Sequence, residues 1–175
     1  SSSEVYGGGG PSPFREDRPL MIGPPDVARW VYASSKLHGE MLGFSLARSR
    51  GLPFLAVRMF NIAGVGQLAD QGMVLPSFVQ WALEGEPLCV FAPGTQRRSF
   101  MYVGDAVEAY LAAAERAGDE GIRGEAFNIS TGRPWTVLEV AARVDAALGI
   151  HEPPHEIQGR AEQEGEIPAQ SLDSA

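Results

Sequence analysis

A tyrosine and a lysine stand four residues apart in Tyr32-Ala-Ser-Ser-Lys36. On a helix that spacing puts both side chains on one face, a turn apart. There the ammonium stabilises the deprotonated phenol and makes the tyrosine a usable base near neutral pH. A serine hydroxyl from a nearby strand end could hydrogen-bond the same substrate oxygen. Such a set can take the proton from an alcohol while hydride leaves its carbon. Alone, Tyr-x-x-x-Lys is a weak signal, better explained by an ordinary surface pair on a helix.

The elements that must position these residues alternate in type. Ser1 to Tyr6 reads as a strand end, and Gly7-Gly-Gly-Gly-Pro11 opens a loop to about Pro25. That glycine run lacks the Gly-Lys-Ser/Thr of a P-loop and is expected to be a flexible, substrate-side loop. A helix is expected from an Asp26 N-cap to Arg50, stopped by Gly51, with a buried stripe of Val31, Leu37, Met41, Phe44 and Leu46. Gly39 and Gly43, a turn apart, would admit a second helix, from the same chain or from a twin. Strands are expected at Leu55–Phe60, Pro87–Phe91 and Ala126–Ser130. Helices are expected at Pro76–Glu84, Asp105–Ala117 and Val137–Leu148, the last closed by Gly149. The alternation implies an α/β fold on a parallel sheet. The Pro- and Glu-rich tail after Gly149 reads as loop or partial disorder.

Composition is that of a globular protein, 44% hydrophobic and 9% aromatic over 175 residues. The net charge of −8 sits almost wholly after Tyr110, where 12 acidic residues face 5 basic ones. No basic stripe suits a nucleic-acid backbone, and no apolar run approaches a membrane span. The single cysteine, Cys89, excludes an internal disulfide, reads as a buried thiol and fits a cytoplasmic location.

Two motifs are decoys. Gly64-Val-Gly66-Gln-Leu-Ala69 fits a dinucleotide fingerprint, but no helix is expected to open at Gly66. His151-Glu-Pro-Pro-His155 spells a zinc motif, but Pro153-Pro154 forbids the helix it needs, so no metal is expected. His38 reads as a surface or interface residue, and Arg58, mid-strand, as half of a buried ion pair.

Five segments then follow in order. They are Ser1-Ser-Ser-Glu-Val-Tyr-Gly7, Tyr32-Ala-Ser-Ser-Lys36, Arg58-Met-Phe-Asn61, Gly72-Met-Val-Leu-Pro76 and Gly94-Thr-Gln-Arg-Arg-Ser-Phe-Met-Tyr-Val-Gly-Asp105. Their order and spacing resemble the extended short-chain dehydrogenase/reductases, specifically the NAD-dependent nucleotide-sugar epimerase/dehydratase branch. The resemblance implies the later part of a doubly wound, Rossmann-like parallel sheet plus a smaller C-terminal substrate-binding region. Residues 1–65 would belong to the NAD-binding domain and 66–175 mainly to the substrate region, with about 100–131 returning to the sheet. It also implies an internal piece of a longer protein, lacking the N-terminal NAD-binding half and inactive in isolation.

By the same resemblance Tyr32 is the base, Lys36 holds the phenol and the nicotinamide ribose, and Ser2 shares the sugar hydroxyl; Ser3 and Glu4 are further catalytic candidates. Tyr32, Lys36 and Phe60 would meet the cofactor, NAD, with NADP left open. Asn61, Val74, Leu75 and Arg98 would bind a nucleotide-diphosphate sugar, Asn61 alternatively capping its own turn. The Tyr32 helix would form a homodimer. Glu4 matches dehydratases and UDP-glucuronate decarboxylases, and Arg29-Trp-Val-Tyr32 resembles some of the latter. Gln170 stands where decarboxylases carry an arginine, and Gln163 where many epimerases do. A UDP-sugar 4-epimerase is therefore expected, with decarboxylation or 4,6-dehydration as alternatives and an inactive sugar-nucleotide-binding relative as the non-enzymatic one.

Overall fold

Parallel strands buried on both faces need apolar or internally paired residues along their whole length. β1 (Ala56–Met59) meets this with Ala56, Val57 and Arg58 all buried. The computed structural model describes residues 1–7, 13–91, 93–149, 155–158 and 169–170. In chain order these form α1 (Arg29–Arg50), β1, β2 (Ile62–Ala63), α2 (Val74–Glu84), β3 (Leu88–Phe91), β4 (Arg97–Ser99), β5 (Met101–Tyr102) and α3 (Val103–Glu115). There follow β6 (Ala126–Ile129), β7 (Pro134–Thr136), α4 (Val137–Leu148), β8 (His155–Gln158) and β9 (Ala169–Gln170).

β1 pairs in parallel with β6, Ala56 opposite Ala126 through Met59 opposite Ile129. Ser2 adds an isolated parallel bridge to Met59, so the serine-bearing segment enters the sheet beside β1. β2 and β5 form a second parallel pair. β4 lies between β7, antiparallel, and β9, parallel. The fold is α/β with parallel strands, as the alternation implies. One core joins Phe78 of α2, Leu88 and Val90 of β3, and Val140, Ala141 and Val144 of α4. A smaller one joins Val5, Tyr6, Phe14 and Phe60 directly beneath the candidate site.

Several expectations are corrected. The expected strand end at Ser1–Tyr6 is extended at Ser2 alone: Ser3–Tyr6 winds into a 3-10 turn capped by the Ser2 hydroxyl. Gly7 closes it at φ 56°, where a Cβ would sit 1.6 Å from the Met21 carbonyl oxygen. α1 starts at Arg29, not after Asp26; its N-cap is Ala28, with no side-chain bond. The expected stripe is displaced, because Val31 and Met41 are 68% and 63% exposed. α1 instead buries Trp30, Ala33, Glu40, Gly43 and Ala47. Gly43 admits the Phe54 ring of its own chain rather than a second helix.

The loop before α1 is tied down over residues 13–25, and 8–12 lie outside the described residues. Phe14 stacks on Tyr6 at 4.8 Å and its carbonyl accepts from Asn128 Nδ2 at 3.1 Å. The Glu16 carbonyl accepts from Arg58 at 3.2 Å and its carboxylate from the Asn128 amide at 2.9 Å. The tail holds β8 against β3 and β9 against β4. Cys89 is only half-buried.

Candidate active site

The site is built where the 3-10 turn packs on the first turns of α1. Ser2 lies in extended backbone at the end of its segment, and its Oγ accepts the Glu4 N–H at 3.3 Å. A hydroxyl that accepts one bond keeps its own O–H to donate, so Ser2 can still meet a substrate oxygen. Ser3 points into the core. Glu4 pairs with Arg29, Nη2 to Oε2 at 2.6 Å, in a half-buried contact. Arg29 is the first residue of α1 and Tyr32 stands one turn further on.

Tyr32 is 51% exposed, and the Lys36 ammonium lies over its ring, 5.4 Å from the centroid. The helix therefore presents a reachable phenol with a cation held against it, as the four-residue spacing requires. His38 is exposed.

Beneath this surface runs a polar network that sequence reasoning found only at Arg58. Its guanidinium bonds Glu40 of α1 at 2.7, 3.0 and 3.3 Å and the Tyr6 hydroxyl at 2.9 Å. Tyr6 in turn donates to Asn128 Oδ1 of β6 at 2.7 Å. Burial opposes the charge on Arg58, but its bonds to Glu40 and Tyr6 outweigh this and hold it protonated more firmly than usual. Burial raises the Tyr6 phenol above its ordinary value, against the pull of Arg58. The signal available in the sequence was Glu40 itself, one turn beyond Lys36 on the same helical face.

The remaining candidates divide. Asn61 is half-buried, and its Nδ2 donates to the Ser99 carbonyl at 3.0 Å, binding the end of β1 to β4. Phe60 is buried in the small core, so its ring faces Tyr6 and Phe14 rather than a ligand surface. Val74 and Leu75 form the first turn of α2, whose N-cap Met73 supplies no side-chain bond. The amide groups of such an uncapped turn suit a phosphate. Arg98 lies on β4, its Nη1 on the Arg97 carbonyl at 2.9 Å, and is paired in register with Trp135 and Gln170.

The two decoys are resolved differently. Gly64–Ala69 runs into a 3-10 turn at Ala69–Gln71, so no helix opens there to hold a pyrophosphate. His155 begins a strand, and His151 lies outside the described residues. A groove of about 460 Å³ runs along β1 between α1 and α3, lined by Lys36, Gly39, Glu40, Val57, Tyr110 and Ala113 among others. Lys36 reaches this groove, but Tyr32 is not among its lining residues, so the proton-transfer chemistry is not placed there.

The sequence profile described as "NAD dependent epimerase/dehydratase family" matches residues 1–130. The chain belongs to that family. Within the family it is 43% identical over 146 residues to a UDP-N-acetyl-alpha-D-glucosaminuronate decarboxylase of Bacillus cytotoxicus, covering 81% of this chain and 42% of that protein. It superposes on a UDP-N-acetylglucosamine 4-epimerase of Methanobrevibacter ruminantium, in complex with UDP-N-acetylmuramic acid, with a TM-score of 0.84 at 27% identity. That match covers 99% of this chain and 52% of the other. A dTDP-glucose 4,6-dehydratase of Bacillus anthracis, in complex with NAD, gives a TM-score of 0.77 at 26% identity, covering 99% and 51%. The chain thus spans about half the length of these epimerase/dehydratase relatives, which include a decarboxylase, an epimerase and a dehydratase. Among its described residues no helix is long and apolar enough to cross a membrane.

The exposed phenol and ammonium of Tyr32 and Lys36 suit the hydroxyl-rich nicotinamide-ribose end of NAD. The described residues therefore fit that part of the cofactor.

Proposed function

We propose that the protein containing this chain is a NAD-dependent enzyme that oxidises a ring hydroxyl of a nucleotide-diphosphate sugar, and that its substrate is a uronate, which loses carbon dioxide. The observation carrying the oxidative step is the exposed Tyr32 phenol with Lys36 against it and the Ser2 turn packed on the same helix. Support for decarboxylation comes from the 43% identity to a glucosaminuronate decarboxylase and from Glu4 with Arg29.

Tyr32 accepts the hydroxyl proton, Lys36 stabilising the phenolate, and Ser2 donates to the same oxygen. Bound NAD supplies the hydride acceptor. Where the oxidised ring carbon is the neighbour of the carbon that bears the uronate carboxylate, the resulting ketone lies β to that carboxylate. Cleavage of the carbon–carboxylate bond sends its electron pair toward the carbonyl oxygen, where the Tyr32 and Ser2 hydroxyls can stabilise the charge. The carbon that lost the carboxylate then takes up a proton. Return of the hydride to the carbonyl carbon, with the Tyr32 proton to its oxygen, restores the hydroxyl, so that carbon dioxide is the net loss. Arg98 and the first turn of α2, at Val74 and Leu75, are assigned to the diphosphate. Asn61, committed on one side to Ser99, is assigned to holding that loop. The assembly proposed is a cytoplasmic homodimer through α1, whose Val31, Met41 and Leu42 are exposed.

A second reading, 4-epimerisation, is favoured by Gln170 standing where decarboxylases carry arginine and by the fit to the 4-epimerase fold. Mass spectrometry of UDP-uronates and neutral UDP-hexoses after incubation with the full-length protein and NAD separates the two. A product lighter by carbon dioxide supports the proposal. An isomer of unchanged mass replaces it with the second reading.

A further inference from the structure

Arg29 occupies a position that helix physics disfavours. It is a cation at the first residue of a 22-residue helix, where the macrodipole favours anions. The first turn carries no acid and the N-cap no side-chain bond. Its guanidinium is nevertheless held in place: Nη2 sits 2.6 Å from Glu4, its carbon 6.0 Å from the centroid of the buried Trp30 ring. Nε is buried without a hydrogen-bond partner among the described residues.

Following the bonds from this residue leads to the site. Glu4, fixed by Arg29 through its side chain, donates its backbone N–H to Ser2 Oγ, and its carbonyl accepts from Gly7. On the other side, Arg29 is one helical turn from Tyr32 and on the same face. A short path thus connects the phenol-bearing helix, the guanidinium, the carboxylate and the serine hydroxyl.

We propose that Arg29 is a positioning residue: its ion pair with Glu4 locks the serine-bearing turn to the first turn of α1 and sets the Ser2 hydroxyl and the Tyr32 phenol across one substrate oxygen. The inference rests on the proposed function, because it assumes that Tyr32 and Ser2 act on one oxygen. It assigns Glu4 the part of an anchor.

The test uses the full-length protein with NAD and whichever sugar nucleotide it turns over, well below the melting temperature. Arg29→Gln is expected to lower kcat by about 100-fold, the scale of an ångström of misplacement, with KM within about twofold because the diphosphate contacts lie elsewhere. Arg29→Lys, which keeps the charge but not the fork, should recover part of the loss and serves if Arg29→Gln does not fold. The decisive variant is Arg29→Gln made in a Ser2→Ala background, where it should cost little more, since Arg29 acts through Ser2. Wild-type kcat in Arg29→Gln, or an undiminished further loss in the Ser2→Ala background, overturns the inference. Near-normal turnover by Tyr32→Phe instead removes the functional reading beneath it.

Discussion

Replacing Glu40 by leucine removes one member of an ion pair in which the Glu40 and Arg58 side chains are 3% and 5% exposed. Arginine cannot shed its proton in a protein. Arg58 would therefore remain a buried cation, with only the Tyr6 hydroxyl and the Glu16 carbonyl among the described residues to accept from it. Removing one partner of such a pair costs about 3–5 kcal/mol, a large share of an ordinary domain's 5–15 kcal/mol. Replacing both, as Glu40→Leu with Arg58→Met, removes the stranded charge. What remains is the loss of donors to Tyr6 and Glu16, about 1–3 kcal/mol. The double variant is thus expected to be more stable than Glu40→Leu alone. Urea unfolding of the full-length protein, followed by circular dichroism with the slope m compared across variants, measures this order. A Glu40→Leu cost below about 1 kcal/mol, or a double variant less stable than Glu40→Leu, would refute the claim that the pair is desolvated and coupled.

Three further outcomes are expected. Tyr32→Phe should abolish turnover while calorimetric binding of the sugar nucleotide is retained; retained turnover removes Tyr32 from the mechanism. Stability should fall as pH rises through the ordinary tyrosine value of 10.0, because burial raises the Tyr6 phenol in the folded state. Folded Tyr6 then holds a proton that the unfolded chain has released, so stability present below that value is lost as pH approaches the folded one. Tyr6→Phe should flatten this alkaline limb of the unfolding profile; an unchanged limb places its origin elsewhere. Gly43→Ala sets a Cβ 2.1 Å from the Phe54 ring, an overpacking expected to cost about 1–3 kcal/mol. A thermal melt at wild-type temperature would show that Phe54 can move aside freely.

Where local chemistry decides an element, the sequence was readable. α4 spans Val137–Leu148 as expected, because Thr136 and Glu139 cap each other reciprocally and Gly149 takes the left-handed conformation after it. Gly51 ends α1 for the same reason. The start of α1 misled because Asp26 has the composition of an N-cap, while the chain makes one more turn before Arg29. Strands such as β2, β4 and β5, two or three residues long, are too short to show a period, and Arg97-Arg98 does not resemble strand sequence at all.

The site divides in the same way. Tyr32 and Lys36 share a face through spacing alone. Arg29 and Glu4, 25 residues apart, meet only through the fold. The buried face of α1 was misread because its small residues and Glu40 pack against Phe54 and Arg58, neither of which a periodic pattern of apolar residues can reveal.

The span of the Tyr6–Asn128 bond sets an order of assembly. Glu40 and Arg58 are 18 residues apart and can meet early. Asn128, the acceptor for the Tyr6 hydroxyl, comes 122 residues after it. On a ribosome adding roughly 5–20 residues per second, that is a delay of about 6–24 s. β6, the parallel partner of β1, arrives in the same stretch. A nascent chain therefore carries its tyrosine–lysine helix for many seconds before the strand that fastens the serine-bearing turn exists. Over that interval the turn is tethered only through residues on its own side of β6.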